Sequence, residues 1–215
     1  MRCLVLTALV CAATACTGPT GGADAGVQSR DTGVFDGGRP IAWDGGTPLC
    51  QPALGPCHGS DCLRLNEAAA KNTGIWIDEA LQADDFVELV NLGDTAIELG
   101  DYFLGDDPQQ TARLGIGQLA PQERRIIWLD DEPEQGPRHL PFKLSSKGDG
   151  LMLWHLNDGL VDCWELPVLH ENQVMARFPD GHGAPAVCDF SSPNQANPAQ
   201  CSPPPPPEVD PLYVY

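Results

Sequence analysis

The sequence is poor in basic residues. Its 215 residues include 12 lysines and arginines against 30 aspartates and glutamates, which gives a formal net charge of −18. A surface of this sign repels the phosphates of nucleic acids, so the composition argues against nucleic-acid binding. The same acidity favours solubility, and it also suits divalent cations or basic partners.

The sequence also lacks the apolar run that a membrane-spanning helix requires. Its stretch LVLTALVCAATA, residues 4–15, is shorter than the roughly 20 residues that cross a bilayer. It follows a positively charged start, so it predicts a signal peptide over residues 1–15. The small residues Ala-Thr-Ala directly before Cys16 resemble a bacterial lipobox, and Cys16 is the predicted lipidation site. The alternatives are ordinary secretory cleavage, which would leave Cys16 unmodified, and lipidation at Cys11, which follows bulky residues.

Two segments have too few large apolar residues to bury a core. Gly, Ala, Asp and Thr dominate residues 16–48, which predicts a lipid-anchored flexible tether. Residues 202–215 include five consecutive prolines, which predicts a disordered, polyproline-II tail that acts as a spacer. Two or more acyl chains on Cys16 would hold the chain stably at a membrane. We therefore expect an exported lipoprotein of the outer membrane or cell surface.

Three of the nine cysteines lie in the first sixteen residues, and the other six allow 15 pairings. Export favours disulfides, and the spacing of the turn-rich neck, residues 49–62, does not match a zinc finger or ribbon. We hypothesise a local Cys57–Cys62 bridge and further bridges that tie the neck and the tail to the domain. The six cysteines are Cys50, Cys57, Cys62, Cys163, Cys188 and Cys201.

Helical periodicity is scarce, and no trustworthy helix can be predicted. Short runs of strand-forming residues instead recur about every ten residues between Gly, Pro, Asn and Asp. The stretch DDFVELVNLG, residues 84–93, predicts a central strand, and residues 95–99 predict its hairpin partner. Residues 174–178 predict the last strand. The pattern predicts an all-β sandwich or barrel with Trp128, Trp154 and Phe142 in its core.

The order of several short motifs resembles the lamin tail domain in its bacterial extracellular form. An Asn-Glu opening strand comes first, followed by a strand of the type Phe-Val-Glu-Leu-x-Asn, a Lys-Leu-Ser-Ser-x-Gly-Asp segment, an Arg-x-Pro-Asp-Gly turn and a Ser-Pro-x-x-x-Asn closing. These motifs lie in LRLNEAAA at 63–70, DDFVELVNLGDTAIELGDYFLGDD at 84–107, LAPQERRIIWLDD at 119–131, FKLSSKGDGLMLWHLNDGLVDCW at 142–164, ARFPDGHG at 176–183 and SSPNQAN at 191–197.

The resemblance implies an immunoglobulin-like β-sandwich over residues 63–201 that serves as a binding or display module. It brings no catalytic residue, no cofactor and no named ligand with it. Two features depart from the family pattern, namely the longer segment 71–83 and the cysteine-rich neck. The coiled coil of nuclear lamins is also missing, so a filament role does not transfer.

Glu88 and Arg177 both lie within predicted strands, and we hypothesise that they form a partly buried pair. The alternative is that each faces water. The two acidic loops would supply weak calcium ligands if they met at one end of the sandwich. The alternative there is solvated loops on an acidic surface. The calcium candidates are Asp106, Asp107, Asp130, Asp131 and Glu132.

The sequence contains neither a His-Glu-x-x-His nor a Gly-x-Ser-x-Gly motif, so we expect no enzyme. The preferred hypothesis is a lipoprotein whose sandwich binds an unknown protein or another envelope component. The alternatives are a small metal-dependent extracellular hydrolase or accessory protein and a purely structural spacer. A converging Asp/His cluster in a cleft would favour the hydrolase.

Overall fold

The computed structural model describes residues 50–107, 110–115, 117–199 and 201, together with the backbone of two short strands in the preceding segment. The predicted signal peptide, the lipidation of Cys16 and the proline-rich tail lie outside the described residues. So does the predicted tether, except for those two strands.

Short strands account for almost all of the regular structure in the described residues. The 3-10 turns are Gly59–Cys62, Leu99–Asp101 and Pro133–Gln135. The strands are β1 (Phe35–Asp36), β2 (Arg39–Pro40), β3 (Leu63–Ala69), β4 (Asp85–Asn91), β5 (Ile97–Glu98), β6 (Tyr102–Asp107), β7 (Gln110–Arg113), β8 (Gln118–Leu119), β9 (Arg124–Leu129), β10 (His139–Leu140), β11 (Asp149–His155), β12 (Gly159–Leu166), β13 (Val174–Phe178) and β14 (Ala184–Cys188). Within the described ranges, no helix has the length and apolar character needed to cross a membrane.

Two sheets make up the body of the domain. The larger sheet has the strand order β10-β9-β4-β3-β13-β14, and the smaller has the order β12-β11-β6-β7. Neighbouring strands are antiparallel except for β10, which runs parallel to β9. β4 lies between β3 and β9, so the central-strand prediction for residues 84–93 is confirmed.

The two sheets share one apolar core. Val87 and Leu89 of β4 belong to the same buried cluster as Leu104 of β6 and Leu153 of β11. Alternate residues of a strand point to opposite faces of its sheet, so these side chains mark the inner faces of the two sheets. The expectation of an all-β fold is thereby confirmed.

The outer face of the larger sheet is buried as well. Phe86 and Trp128 point to that face and form a second apolar cluster, with their rings edge to face at 6.0 Å. Ile75 and Trp76 pack against this cluster. They belong to segment 71–83. This segment therefore covers apolar surface that a one-sided sheet would leave exposed.

The described residues contain three disulfides, and two of them join an end of the domain to a strand. The Cys57–Cys62 bridge predicted from the sequence is present. Cys50–Cys163 ties the neck to β12, and Cys188–Cys201 ties the residue before the proline-rich tail to β14. The neck and the residue before the tail are thus both cross-linked to the domain, as hypothesised.

Two strand predictions are wrong. Ile97–Glu98 does not pair with β4 but with β8, Gln118–Leu119, in a separate two-stranded sheet. The hairpin rule failed because both edges of β4 are already occupied by β3 and β9. Residues 174–178 are also not the last strand, since β14 pairs with them. β14 contains Pro185, which argues against a strand in sequence but is tolerated on an edge strand.

Candidate functional site

Arg177 is the centre of a buried cross-link between the two sheets. Its Nη2 donates to both carboxylate oxygens of Asp162 at 2.7 Å, and its Nε donates to the Leu65 carbonyl at 2.6 Å. Its Nη1 donates to the carbonyls of Ala53 and Gly183. Asp162 in turn accepts hydrogen bonds from the backbone N–H groups of Ala53 and Leu65. These contacts join the larger sheet, the smaller sheet and the neck.

The hypothesised Glu88–Arg177 pair is wrong, although both side chains are fully buried. Glu88 lies between Val87 and Leu89, which face the shared core, so Glu88 points to the outer face of the larger sheet. Arg177 lies two residues from Met175, which faces the shared core. The two side chains are therefore on opposite faces of one sheet.

Glu88 instead belongs to a polar network on the outer face. Its Oε1 accepts a hydrogen bond from Asn66 Nδ2 at 2.8 Å, and its Oε2 accepts one from the Asn194 N–H at 2.5 Å. Glu67 lies directly opposite Glu88 on the neighbouring strand and accepts a hydrogen bond from the Ser192 N–H at 3.0 Å. The segment after β14 is thus held to the sheet by two buried carboxylates.

The buried position of Glu88 and Glu67 favours the protonated form of both carboxyl groups. Burial raises the pKa of Glu88 to about 7, helped by the charge of Glu67 and opposed by Asn66, Asn194 and Arg124. Burial also raises the pKa of Glu67. Two carboxylates facing each other across strands cannot both ionise easily. Of the two carboxyl groups, Glu88 therefore has a pKa close to neutral pH.

The five calcium candidates do not come together. Within the described ranges, no group of three metal-ligating side chains contains Asp106, Asp107, Asp131 or Glu132. Asp106 lies at the end of β6 in the smaller sheet, whereas Asp130 directly follows β9 of the larger sheet. Of the five candidates, only Asp130 joins a cluster of ligating groups, and its partners are residues that sequence reasoning did not select.

That cluster consists of Asp78, Asp130 and His139, which are all buried. His139 Nδ1 lies 2.5 Å from Asp130 Oδ2. Asp78 Oδ1 accepts hydrogen bonds from the N–H groups of Ala80 and Gln82, each at 2.8 Å, so the tight turn after residue 77 holds this side chain in place. Asp78 Oδ2 is buried and has no hydrogen-bond partner.

Glu79 lies at the solvent side of the cluster. Its Oε1 is 3.5 Å from His139 Nε2, an atom that is buried and makes no hydrogen bond. Arg138 Nη2 donates to both Glu79 oxygens at 3.2 Å. Burial lowers the pKa of His139, but the hydrogen bond with Asp130 and the negative charges of Asp130 and Glu79 outweigh it and leave the pKa raised.

Sequence reasoning missed this cluster because its members are far apart in the chain. Asp78 belongs to segment 71–83, Asp130 follows β9, and His139 begins β10. The parallel pairing of β10 with β9 brings His139 beside Trp128 and hence near Asp130. No short spacing motif records that arrangement. A second group, Cys57, Asp61 and Cys62, offers no thiolate ligand, because its two cysteines form a disulfide with each other.

No protein-family model and no curated protein sequence match this chain.

Proposed function

We propose that this chain is a non-catalytic lipoprotein of the cell envelope. Its folded part is a lamin-tail-like module with an immunoglobulin-like β-sandwich, which binds or displays another envelope or extracellular component. Two sheets that share one core support the sandwich. The chain is anchored to the membrane through Cys16 and carries the module at the end of a tether.

One observation carries the lamin-tail assignment: residues from separate motifs meet in a single buried hydrogen-bond network. Asn197 Nδ2 donates to the carbonyls of Asn66 and Arg177, and Asn66 Oδ1 accepts a hydrogen bond from the Gly181 N–H. The motif residues in the network are Asn66, Glu67, Glu88, Arg177, Asp180, Gly181, Ser192 and Asn197. A shared network explains why these motifs would occur together in one fold.

The Asp/His cluster is the observation that bears on the hydrolase alternative. A catalytic metal keeps an open position for water or substrate. Asp78, Asp130 and His139 are instead 6%, 0% and 2% exposed. Such burial suits a structural role, and the binding module remains the preferred function.

Metabolic labelling with a fatty-acid analogue tests the anchor. The full chain is expressed in a Gram-negative host together with the Cys16→Ser and Cys11→Ser variants. We expect label and membrane association in the unmodified chain and in Cys11→Ser, and loss of both in Cys16→Ser. Label that persists in Cys16→Ser would contradict the proposed anchor.

Affinity capture from envelope extracts tests the module. The full-length Cys16→Ser variant serves as bait with and without calcium, and the same chain reduced and unfolded serves as the control. We expect a component that the folded bait enriches over the control. The absence of enrichment in both conditions would contradict a binding role.

A further inference from the structure

Two buried polar atoms in the Asp78–Asp130–His139 cluster have no hydrogen-bond partner, namely Asp78 Oδ2 and His139 Nε2. Buried polar atoms are almost always paired, because an unpaired one loses its hydration without compensation. One ligating atom from each of the three residues lies within 4.8 Å of the others. Two unsatisfied electron-pair donors in one buried cluster indicate that a cation completes it.

The contact with Asp130 fixes the tautomer of the neutral His139 imidazole. Asp130 is fully buried and lies 2.5 Å from His139 Nδ1, so the proton of the neutral ring is held on Nδ1. Nε2 then carries a lone pair. A histidine that binds a metal commonly donates its other N–H to a carboxylate, which fixes the ring orientation. Asp130 thus orients His139 in the way that a metal site requires.

Two carboxylates, those of Glu79 and Asp78, can supply oxygen ligands beside His139. Glu79 Oε1 lies 3.5 Å from His139 Nε2, close to the roughly 3.3 Å that separates two ligands of a tetrahedral zinc ion. Asp78 supplies a further carboxylate oxygen, and its other oxygen is already held by two N–H groups. Glu79 is 48% exposed, so the cation has a path from solvent.

We propose that Asp78 and His139 bind one divalent cation of the zinc class, with Asp130 holding the imidazole in place and the exposed Glu79, whose Oε1 lies 3.5 Å from His139 Nε2, reaching the cation from the solvent side. Imidazole nitrogen is a ligand that zinc and neighbouring transition metals prefer, whereas calcium and magnesium favour all-oxygen sites. The cation would fasten segment 71–83 to the edge strand β10 and to the end of its neighbour β9. This inference depends neither on the lipid anchor nor on the lamin-tail assignment.

Calorimetric titration of the chelator-stripped full chain with zinc chloride at pH 7.5 tests the proposal. We expect one zinc ion per chain, a rise in melting temperature, and no competition from a hundredfold excess of calcium. Asp78→Asn should weaken zinc binding at least tenfold, since it replaces a charged ligand while its Oδ1 can still accept from Ala80 and Gln82. His139→Gln should abolish binding.

Asp131→Asn is the matched control, because Asp131 is an exposed carboxylate beside the cluster and its backbone φ of 59° is tolerated by asparagine. It should bind zinc like the unmodified chain. Circular dichroism in chelator verifies that each variant folds, and Asp78→Asn decides the outcome if His139→Gln does not fold. Zinc binding that is absent in the unmodified chain, or unchanged in Asp78→Asn, would overturn the proposal. In that case His139 is an imidazolium that only pairs with Asp130 and Glu79.

Discussion

Replacing Arg177 with methionine removes the five buried or partly buried hydrogen bonds that its side chain donates. Two of them go to Asp162 at 2.7 Å, and the other three go to the carbonyls of Leu65, Ala53 and Gly183. Both members of the ion pair are fully buried. Removing one partner of a buried pair leaves an uncompensated charge and costs about 3–5 kcal/mol. We expect Arg177→Met to lower the free energy of unfolding by about 4 kcal/mol.

Urea denaturation followed by tryptophan fluorescence, with the disulfides intact, measures this change. Arg113→Met is the control, because the Arg113 side chain is 60% exposed and lies 3.8 Å from Asp101. An exposed pair of this kind contributes less than about 1 kcal/mol. Combining Arg177→Met with Asp162→Leu removes both charges, so the double variant should be more stable than the sum of the two single effects predicts.

A double-mutant cycle tests whether Glu88 and Arg177 lie on opposite faces of the larger sheet. Glu88→Gln and Arg177→Gln should add to within about 0.5 kcal/mol, because the two side chains lie on opposite faces and share no partner. If Arg177→Met lowers the free energy of unfolding no more than Arg113→Met does, the predicted cost of breaking the buried ion pair is wrong. A coupling energy above about 1 kcal/mol between Glu88 and Arg177 would contradict their placement on opposite faces of the sheet.

Two further predictions concern titration and cross-links. Burial raises the pKa of Glu88 from 4.5 to about 7, so the stabilisation by its protonated carboxyl group is complete below pH 4.5 and is lost as the pH rises through 7. Between pH 4.5 and pH 8, the free energy of unfolding of the unmodified chain should fall by up to about 3 kcal/mol relative to that of Glu88→Gln, as measured by urea denaturation. A difference that does not vary with pH would contradict this assignment. The Cys50–Cys163 bridge closes a loop with a sequence separation of 113, against 5 for Cys57–Cys62. Its replacement by two serines should therefore cost about 5 kcal/mol, against about 2 kcal/mol for the shorter loop, and equal losses in melting experiments would exclude a loop-entropy origin.

Several strand positions were predictable because alternation and turn residues act over short distances. The strand Asp85–Asn91 lies within the stretch predicted as a central strand, and the strand Val174–Phe178 has the predicted bounds. The local Cys57–Cys62 bridge was predictable for the same reason. β14 was missed because a proline argues against a strand until its place at the sheet edge is known.

For Glu88, the alternation of residues along the strand predicts the direction of the side chain but not its partners. The sequence alone determined that its side chain points away from those of Val87 and Leu89, because successive residues of a strand alternate. It did not determine which strands are neighbours or which carboxylate meets Arg177. Only the packing of β12 against β13 and β3 brought Asp162 to that position.

The sequence by itself determined an acidic, all-β domain with cross-linked ends, because charge, alternation and cysteine number are properties of the chain. Only the tertiary structure assembled the cluster of Asp78, Asp130 and His139. Asp78 lies in segment 71–83, Asp130 follows β9, and His139 lies on the parallel edge strand β10. Their proximity results from long-range packing of the sheet and the segment that covers it, which no local pattern records.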